Sequence, residues 1–393
     1  MSNTFCLLPF IELDIGTTGD VKVCCAQTSK DKIGQLSNKS INDIWNSNKL
    51  TDIRHAFLTN QKHPACHQCW EDENNNFISK RQYLNKFHEQ LNISYELDKP
   101  IAPISLVLNM SNKCNIACRT CDSMSSSKWG KEELFFANNE NRDILEYQHD
   151  LIKKSWNDKN QIWEDLDNWL PNLKILSFVG GEPMLVKNMW KFLQKSIDLG
   201  YAKNQTIQRI NTNCTIYKDE YIKILNQFKY SELHLSIDGI DKVFEYTRYP
   251  AKWEHVLKNL EKYLYGDYQG ECLWTSTISI INIFYINEIN DVCQRYFKNR
   301  YNNETHLNLV HNPPHYCIKN LPNYVKKIIT EKYKNFNNSQ ILGLIKYMNS
   351  EEQNEKEWHR FIKIIKQHDQ YREQKFEDHM PEFAEILNWK QYE

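Results

Sequence analysis

The sequence predicts an α/β protein built on a parallel sheet or an α/β barrel, with a small cysteine-rich unit before it and a helical region after it. Three observations predict this. Short apolar strands alternate with amphipathic helices from about residue 104 to 310. Cys6, Cys24, Cys25, Cys66 and Cys69, five of the twelve cysteines, crowd into the first 70 residues. After about residue 321 the chain reads as charged helix to its end. Repeated βα units need crossovers, hence a parallel sheet, and such sheets place their chemistry at the C-terminal strand ends. At 393 residues the chain has room for two or three domains of roughly 150 residues each.

Within residues 1–90 a strand-like FIELDI leads to a turn at Gly16–Gly19, and a second strand, VKV, runs into Cys24 and Cys25. SINDIWNSNKLTDIRHAFL has helical periodicity with Ser40 as N-cap. HPACHQCW then forms a tight turn carrying Cys66 and Cys69. The polar stretch over 91–103, with Pro100 and Pro103, reads as a connector. In the second unit, residues 91–320, strands are predicted at ISLVLNM, KILSFVG, TIQRINT, ELHLSID, TSTISIINIFYI and HLNLV. Helices fall between them, among them MWKFLQKSIDLG, KDEYIKILNQF and EHVLKNLEKYLY. A polar helical insertion containing Trp129, Trp156, Trp163 and Trp169 occupies about 124–170, and its tryptophans read as amphipathic-helix core. In residues 321–393 the Lys/Glu runs are solvated helix faces.

Composition narrows the classes. Apolar residues are 40% and charged residues 25%, the mix of an ordinary globular chain with a real core. Lys+Arg 49 against Asp+Glu 50 leaves a net charge of −1, without the basic excess of a general nucleic-acid binder. No apolar window approaches a membrane span, and the N-terminus MSNTFCLLPF lacks the basic n-region of a signal peptide. The expected setting is therefore cytoplasmic and reducing, where clustered cysteines bind metal or do redox chemistry instead of forming disulfides.

Cys114-Asn-Ile-Ala-Cys118-Arg-Thr-Cys121 directly follows a predicted strand. Three thiolates this close can hold three irons of a cubane [4Fe–4S] cluster and leave the fourth iron open. A structural zinc knuckle with a distant fourth ligand is the other chemistry they allow. Further polar residues close the later strands: Gly180-Gly181-Glu182-Pro183, Asn211-Thr212-Asn213, and Ser236-Ile237-Asp238-Gly239, with Arg248 twelve residues after Ser236. Glycines permit close backbone approach and Glu182 offers acceptors to an ammonium, although turns and caps use the same residues.

Taken together these motifs resemble the radical S-adenosylmethionine (SAM) enzymes. The Cys-x3-Cys-x2-Cys motif is complete, with Thr120 where many members carry an aromatic residue. The resemblance implies a partial (β/α)6 barrel with Cys114, Cys118 and Cys121 as cluster ligands. It implies contacts to SAM from Gly180, Gly181 and Glu182 at its amino group and from Asn211 and Asn213 near its ribose. Ser236, Asp238 and Arg248 complete the implied site, the arginine clamping the SAM carboxylate. Cys214 stands where the family's Thr-Asn-Gly has glycine.

The N-terminal run Cys6…Cys24-Cys25…Arg54…Cys66-His-Gln-Cys69 resembles a twitch domain, the shortened SPASM domain that holds an auxiliary iron–sulfur cluster. It implies Cys6, Cys24, Cys66 and Cys69 as ligands of an auxiliary [4Fe–4S] cluster, with Cys25 spare or a substitute for Cys24. Structural zinc is the other occupant these thiols suit. Twitch domains usually follow the barrel, whereas this run precedes it. His67, between two implied ligands, fits a solvated turn equally well.

Three functions are open to such a chain. The first is a radical SAM oxidoreductase that cleaves SAM to a 5′-deoxyadenosyl radical and oxidises or modifies a peptide or a small polar metabolite, fed by a donor such as flavodoxin or ferredoxin. The second is a redox-neutral epimerase in which Cys317, in the Pro-rich HNPPHYCIKNLP, returns a hydrogen atom; an inert buried thiol is the plainer role for that residue. The third is a non-catalytic iron–sulfur binding or sensor protein, for which an intact SAM motif has no use.

Overall fold

The computed structural model describes residues 4–74, 78–90, 101–138, 141–153, 156–298 and 304–392. Residues 91–100 of the expected connector lie outside the described residues. Among the described residues nine strands form: β1 Glu12–Ile15, β2 Asp20–Lys22, β3 Gly34–Gln35, β4 Ser105–Asn109, β5 Ile175–Val179, β6 Thr206–Thr212, β7 Tyr230–Ser236, β8 Glu271–Ile278 and β9 His306–Leu309. Helices separate β4 to β9, giving the α/β, partial (β/α)6 arrangement with a helical C-terminal region.

The chain divides into two compact units. One holds Met1–Lys113, Gln148–Ile210 and Lys223–Glu232; the other holds Cys114–Tyr147, Asn211–Ile222 and Leu233–Glu393. Strand order in the first is β3-β2-β1-β4-β5-β6. β1 and β2 pair antiparallel, as do β2 and β3, whereas β1 runs parallel to β4, β4 to β5 and β5 to β6. Strand β1 of the cysteine-rich region is therefore hydrogen-bonded to β4, the first strand of the βα series, and β2, which leads toward Cys24, lies on the other side of β1. One sheet face is wholly apolar, with Leu13, Ile15, Leu106, Leu108, Leu176, Phe178, Ile207 and Ile210 all fully buried.

The second unit carries β7-β8-β9 in that order, with β8 and β9 parallel. Its C-terminal helices include Asn323–Tyr333, Ser339–Met348 and Glu355–Arg372. They enclose an aromatic core in which Phe376 stacks on Trp389 with ring centroids 4.3 Å apart.

Two predicted elements come out divided. The long helix over residues 40–58 is two, Ile41–Trp45 and Asn48–Leu58. Ser40 caps the first by accepting from the Asp43 amide, and Ser47 starts the second by accepting from the Leu50 amide. Small hydroxyl residues compete for the backbone in this way and so punctuate a continuous periodicity. The strand expected over TSTISIINIFYI ends at Ile278. There Asn282 Oδ1 accepts from the Ser279 amide at 2.8 Å, while its Nδ2 donates to the carbonyls of Thr277 and Asp238. That side chain turns the apolar run into helix Ile286–Phe297. FIELDI is likewise shorter as a strand, because Phe10 and Ile11 close a helical turn that starts at Leu8.

Candidate iron–sulfur and SAM site

In the second unit, Cys114, Cys118 and Cys121 lie on one loop whose shape is set by backbone bonds. The Ala117 amide donates to the Tyr249 carbonyl at 2.6 Å, and the Arg119 amide to Thr247 at 2.8 Å. Trp129 Nε1 donates to the Cys118 carbonyl at 2.9 Å, and Ser126 Oγ to that of Ile116 at 2.5 Å. Arg119 is the residue that sequence reasoning missed. Its side chain is fully buried, lies over the Tyr246 ring with 3.5 Å to the centroid, and donates Nη2 to Asp369 at 2.6 Å. A basic residue between two cysteines carries no sequence signal for such anchoring.

Burial pushes the Cys118 thiol up to about 12, the Arg248 guanidinium pulling the other way and Asp238 and Cys114 adding to the rise. Burial also holds Cys121 well above the ordinary thiol range, with Cys118 next in effect. As free thiols these groups are neutral, and a metal charge is what suits them as thiolates. Asn213 donates Nδ2 to Asn115 Oδ1 at 3.0 Å and lies 3.8 Å from Cys114 Sγ. Cys214 has φ +61°, in the left-handed region that favours glycine, which is why a glycine suits that position elsewhere.

Arg248 and Asp238 form a buried ion pair of 2.7 Å. Asp238 also accepts from the Thr277 amide at 2.7 Å, whereas Arg248 Nε is buried with no partner among the described residues. Burial opposes the charge of Arg248, but Asp238 and Cys118 outweigh it and hold the guanidinium firmly protonated. An orphaned donor on a fixed cation beside a cluster-type cysteine suits an incoming carboxylate. Ser236 closes β7, and Asn211, with a buried Oδ1 lacking a partner, lies near the end of β6.

In the first unit, the glycines after β5 serve the backbone. Gly180 has φ +114°, and a Cβ there would stand 2.7 Å from the Ser111 carbonyl oxygen. Gly181 donates to Ser111 and Glu182 to Lys113 through their amides, at 2.7 and 2.8 Å. Glu182 is 1% exposed and caps the turn Pro183–Leu185 through Met184. The close approach expected toward a ligand is thus made, in this unit, toward the strand that leads to the cysteine loop.

Four cysteines of the N-terminal region, Cys6, Cys24, Cys66 and Cys69, line one small cavity together with Val23, Phe57 and Arg81. Amides of Leu8, Ala26 and Arg81 hydrogen-bond to Cys6, Cys24 and Cys69, yet burial prevails and raises every one of these thiols, Cys24 and Cys66 to about 12. Cys66 and Cys69 sit at a helix start, a 3-10 turn Pro64–Cys66 running into helix His67–Asn74, where a simple turn was expected. Gln27 Nε2 is a buried donor with no partner on the same wall. Among the described residues no three ligating side chains converge on a single-ion site. One zinc ion would need four thiolates each about 2.3 Å away. Four thiols set around one cavity, with backbone amide donors, suit the ligand set of an iron–sulfur cluster.

Cys25 is exposed and accepts from Lys80 Nζ at 2.6 Å, outside that cavity lining. Cys25→Ala is expected to leave the iron content of the reconstituted protein unchanged, whereas Cys24→Ala removes about four irons. Iron and sulfide analysis checks this; a loss in the first variant would make Cys25 the ligand. His67 is exposed, 3.9 Å from Asp31. Cys317 is buried with Sγ 3.5 Å from the Tyr347 hydroxyl, on a helix of the C-terminal region. Of the insertion tryptophans, Trp129, Trp156 and Trp169 are buried, as core residues are.

A parallel α/β sheet with three cysteines grouped in a loop after β4 and four more around a cavity is the framework of an iron–sulfur protein. Residues 108–283 match the Radical SAM superfamily, and residues 6–70 match SPASM, an iron-sulfur cluster-binding domain. The chain thus holds a radical SAM domain and a SPASM-type domain. The first implies a [4Fe–4S] cluster and SAM, the second an auxiliary iron–sulfur cluster. Native anSMEcpe with bound AdoMet shares 18% identity at a TM-score of 0.39, over 59% of this chain and 61% of that one. Streptococcus suis SuiB bound to S-adenosylmethionine shares 16% at 0.38, over 71% and 61%. The same SuiB bound to precursor peptide SuiA shares 16% at 0.37. The chain spans about three fifths of the length of these structures. No curated protein matches it. Among the described residues no helix is long and apolar enough to cross a membrane.

Proposed function

We propose that this chain is a radical SAM oxidoreductase acting on a peptide or a small polar metabolite. The supporting observation is the placement of the orphaned Arg248 donor, whose charge acts on Cys118 in a loop that groups three cysteines. When bound there, the cluster would supply one electron for reductive cleavage of SAM, giving the radical that takes a hydrogen atom from substrate. In this reading Cys114, Cys118 and Cys121 are its ligands and Arg248 holds the SAM carboxylate. Asp238 fixes the guanidinium, and Asn211, Asn213 and Ser236 line the strand ends. Glu182 holds the strand-end turn and is the proposed contact of the SAM ammonium, while Gly180 and Gly181 let that turn pack closely. Cys6, Cys24, Cys66 and Cys69 hold the auxiliary cluster, and the spread of these thiols around a cavity supports a [4Fe–4S] group over zinc. Residues 1–90 act as the auxiliary-cluster unit, 91–320 as the barrel and 321–393 as its helical extension, in a cytoplasmic protein served by flavodoxin or ferredoxin. Anaerobic incubation with dithionite and SAM tests the reading: 5′-deoxyadenosine forms if it holds, and its absence from fully reconstituted protein returns the chain to the binding or sensor class.

The contact of Cys317 with Tyr347 favours the oxidoreductase over the epimerase, since it engages the thiol with the C-terminal helices. With a substrate in hand, Cys317→Ala is expected to form product at the wild-type rate, two hydrogens lighter than substrate and free of solvent deuterium. Deuterium incorporation that vanishes in this variant would instead establish the epimerase.

A further inference from the structure

The first unit has a second sheet face, and it is polar. Strand register puts Asp14 of β1 beside Val107 of β4, Val107 beside Ser177 of β5, and Ser177 beside Arg209 of β6. One step earlier Glu12 lies beside Ser105, whose Oγ donates to Glu12 Oε2 at 2.7 Å. A register shift after Leu176 brings Arg209, and not Gln208, into this row. Irregularities of this kind re-aim a side chain and recur beside functional sites.

Burial here is deep: Glu12 is 6% exposed, Asp14 1% and Ser177 3%. Two polar atoms of the row have no partner among the described residues, the acceptor Asp14 Oδ1 and the donor Arg209 Nε. Leaving such groups unpaired costs on the order of 1–3 kcal/mol each, so a fold that keeps them needs another use for them. β2, paired with β1 at Asp14 and Lys22, runs on into Val23 and Cys24 of the cysteine cavity wall. Lys80, bonded to Cys25, acts electrostatically on both Glu12 and Cys24. Acids (Glu12, Asp14) and bases (Arg209, Lys80, Lys22) act on one another across it, so neither sign of ligand charge is selected.

We propose that Asp14, Ser177 and Arg209, with Glu12 behind them, form the binding row for a neutral, hydroxyl-rich ligand of sugar type. Each hydroxyl of a polyol offers both roles at one atom, donating to a carboxylate such as Asp14 or accepting from a guanidinium such as Arg209 without adding charge, whereas an amide splits them between its N–H and its C=O and a short peptide also brings charged termini. Calling that ligand the substrate rests on the radical SAM reading, and the row would then set its substrate against the auxiliary-cluster cysteines. The second strand residue of the cysteine-rich region thereby gains a role in specificity that only this strand order provides.

Saturation-transfer NMR on the reconstituted protein tests it, with D-glucose, myo-inositol and glycylglycine as probes. Transfer to the two polyols and none to the dipeptide is expected, with loss of that transfer in Asp14→Asn and in Arg209→Gln. Melting temperature gives the second readout: Asp14→Asn should melt at or above wild type, because it removes an unpaired buried carboxylate. No polyol transfer to wild type, transfer to the dipeptide instead, or polyol binding that persists in both variants overturns the proposal. A melting temperature lowered by more than about 5 °C in both variants also overturns it, since that marks the row as structural. Probe binding requires neither SAM nor its cleavage. Failure here therefore leaves 5′-deoxyadenosine formation standing, and failure of SAM cleavage leaves the binding result intact.

Discussion

Replacing Cys114, Cys118 and Cys121 together by alanine is expected to abolish 5′-deoxyadenosine formation and to lower the iron of the reconstituted protein from about eight to about four per chain. The two cysteine sets belong to different compact units, three on the loop from Cys114 and four around the cavity with Val23 and Phe57. Nothing in the cavity wall comes from the substituted loop, so the remaining irons and their sulfides should persist with a single cluster signature in the reduced protein's electron paramagnetic resonance. The loop itself should survive, because Ala117, Arg119, Ser126 and Trp129 hold it through groups other than the thiols. Tightly bound zinc in the remaining site would overturn the auxiliary-cluster assignment. Full loss of iron would show that one set cannot load without the other.

Much of this site was legible in the sequence because ligand chemistry imposes spacing. A cubane needs cysteines a few residues apart on a loop, and the strand pattern before Cys114 says where that loop begins. Cys6, Cys24, Cys66 and Cys69 could be grouped by resemblance, and they line one cavity. What could not be read were pairings remote in sequence. That β1 runs beside β4 depends on which sheet edge is free, and strand periodicity does not record it. The strand-like FIELDI carries no sign that its two acids are enclosed, yet Glu12 and Asp14 are both buried. Burial moves the Glu12 carboxyl up to about 7, against the hydrogen bond from Ser105, a residue remote in sequence, which pulls it down. Arg119 escaped for the same reason: its partner Asp369 is 250 residues away. Even Glu182 and the two glycines, found by motif, show in the structure a local duty of capping and close backbone packing that a motif alone does not reveal.

Arg248→Gln is expected to weaken SAM binding about 10- to 100-fold, the loss of one charge-assisted hydrogen bond of roughly 1.5–3 kcal/mol. The same change should cost stability for a different reason. Arg248 and Asp238 are 7% and 4% exposed, and removing the cation strands a carboxylate that only the Thr277 amide then serves. Breaking one side of a buried pair typically costs about 3–5 kcal/mol, whereas replacing both sides by neutral groups costs far less. Binding and folding can therefore be separated by a second substitution. In Asp238→Asn/Arg248→Gln most of the lost stability should return, since no buried charge is left unpaired, while SAM affinity stays low because the guanidinium is still missing. Calorimetric titration of anaerobically reconstituted protein with SAM, beside urea unfolding of the same three proteins (wild type, Arg248→Gln and the double variant), measures both quantities. Recovery of SAM affinity together with stability would make Arg248 a structural ion-pair partner and remove it from the proposed clamp. Affinity that stays low in a refolded double variant would assign the orphaned Nε to the SAM carboxylate.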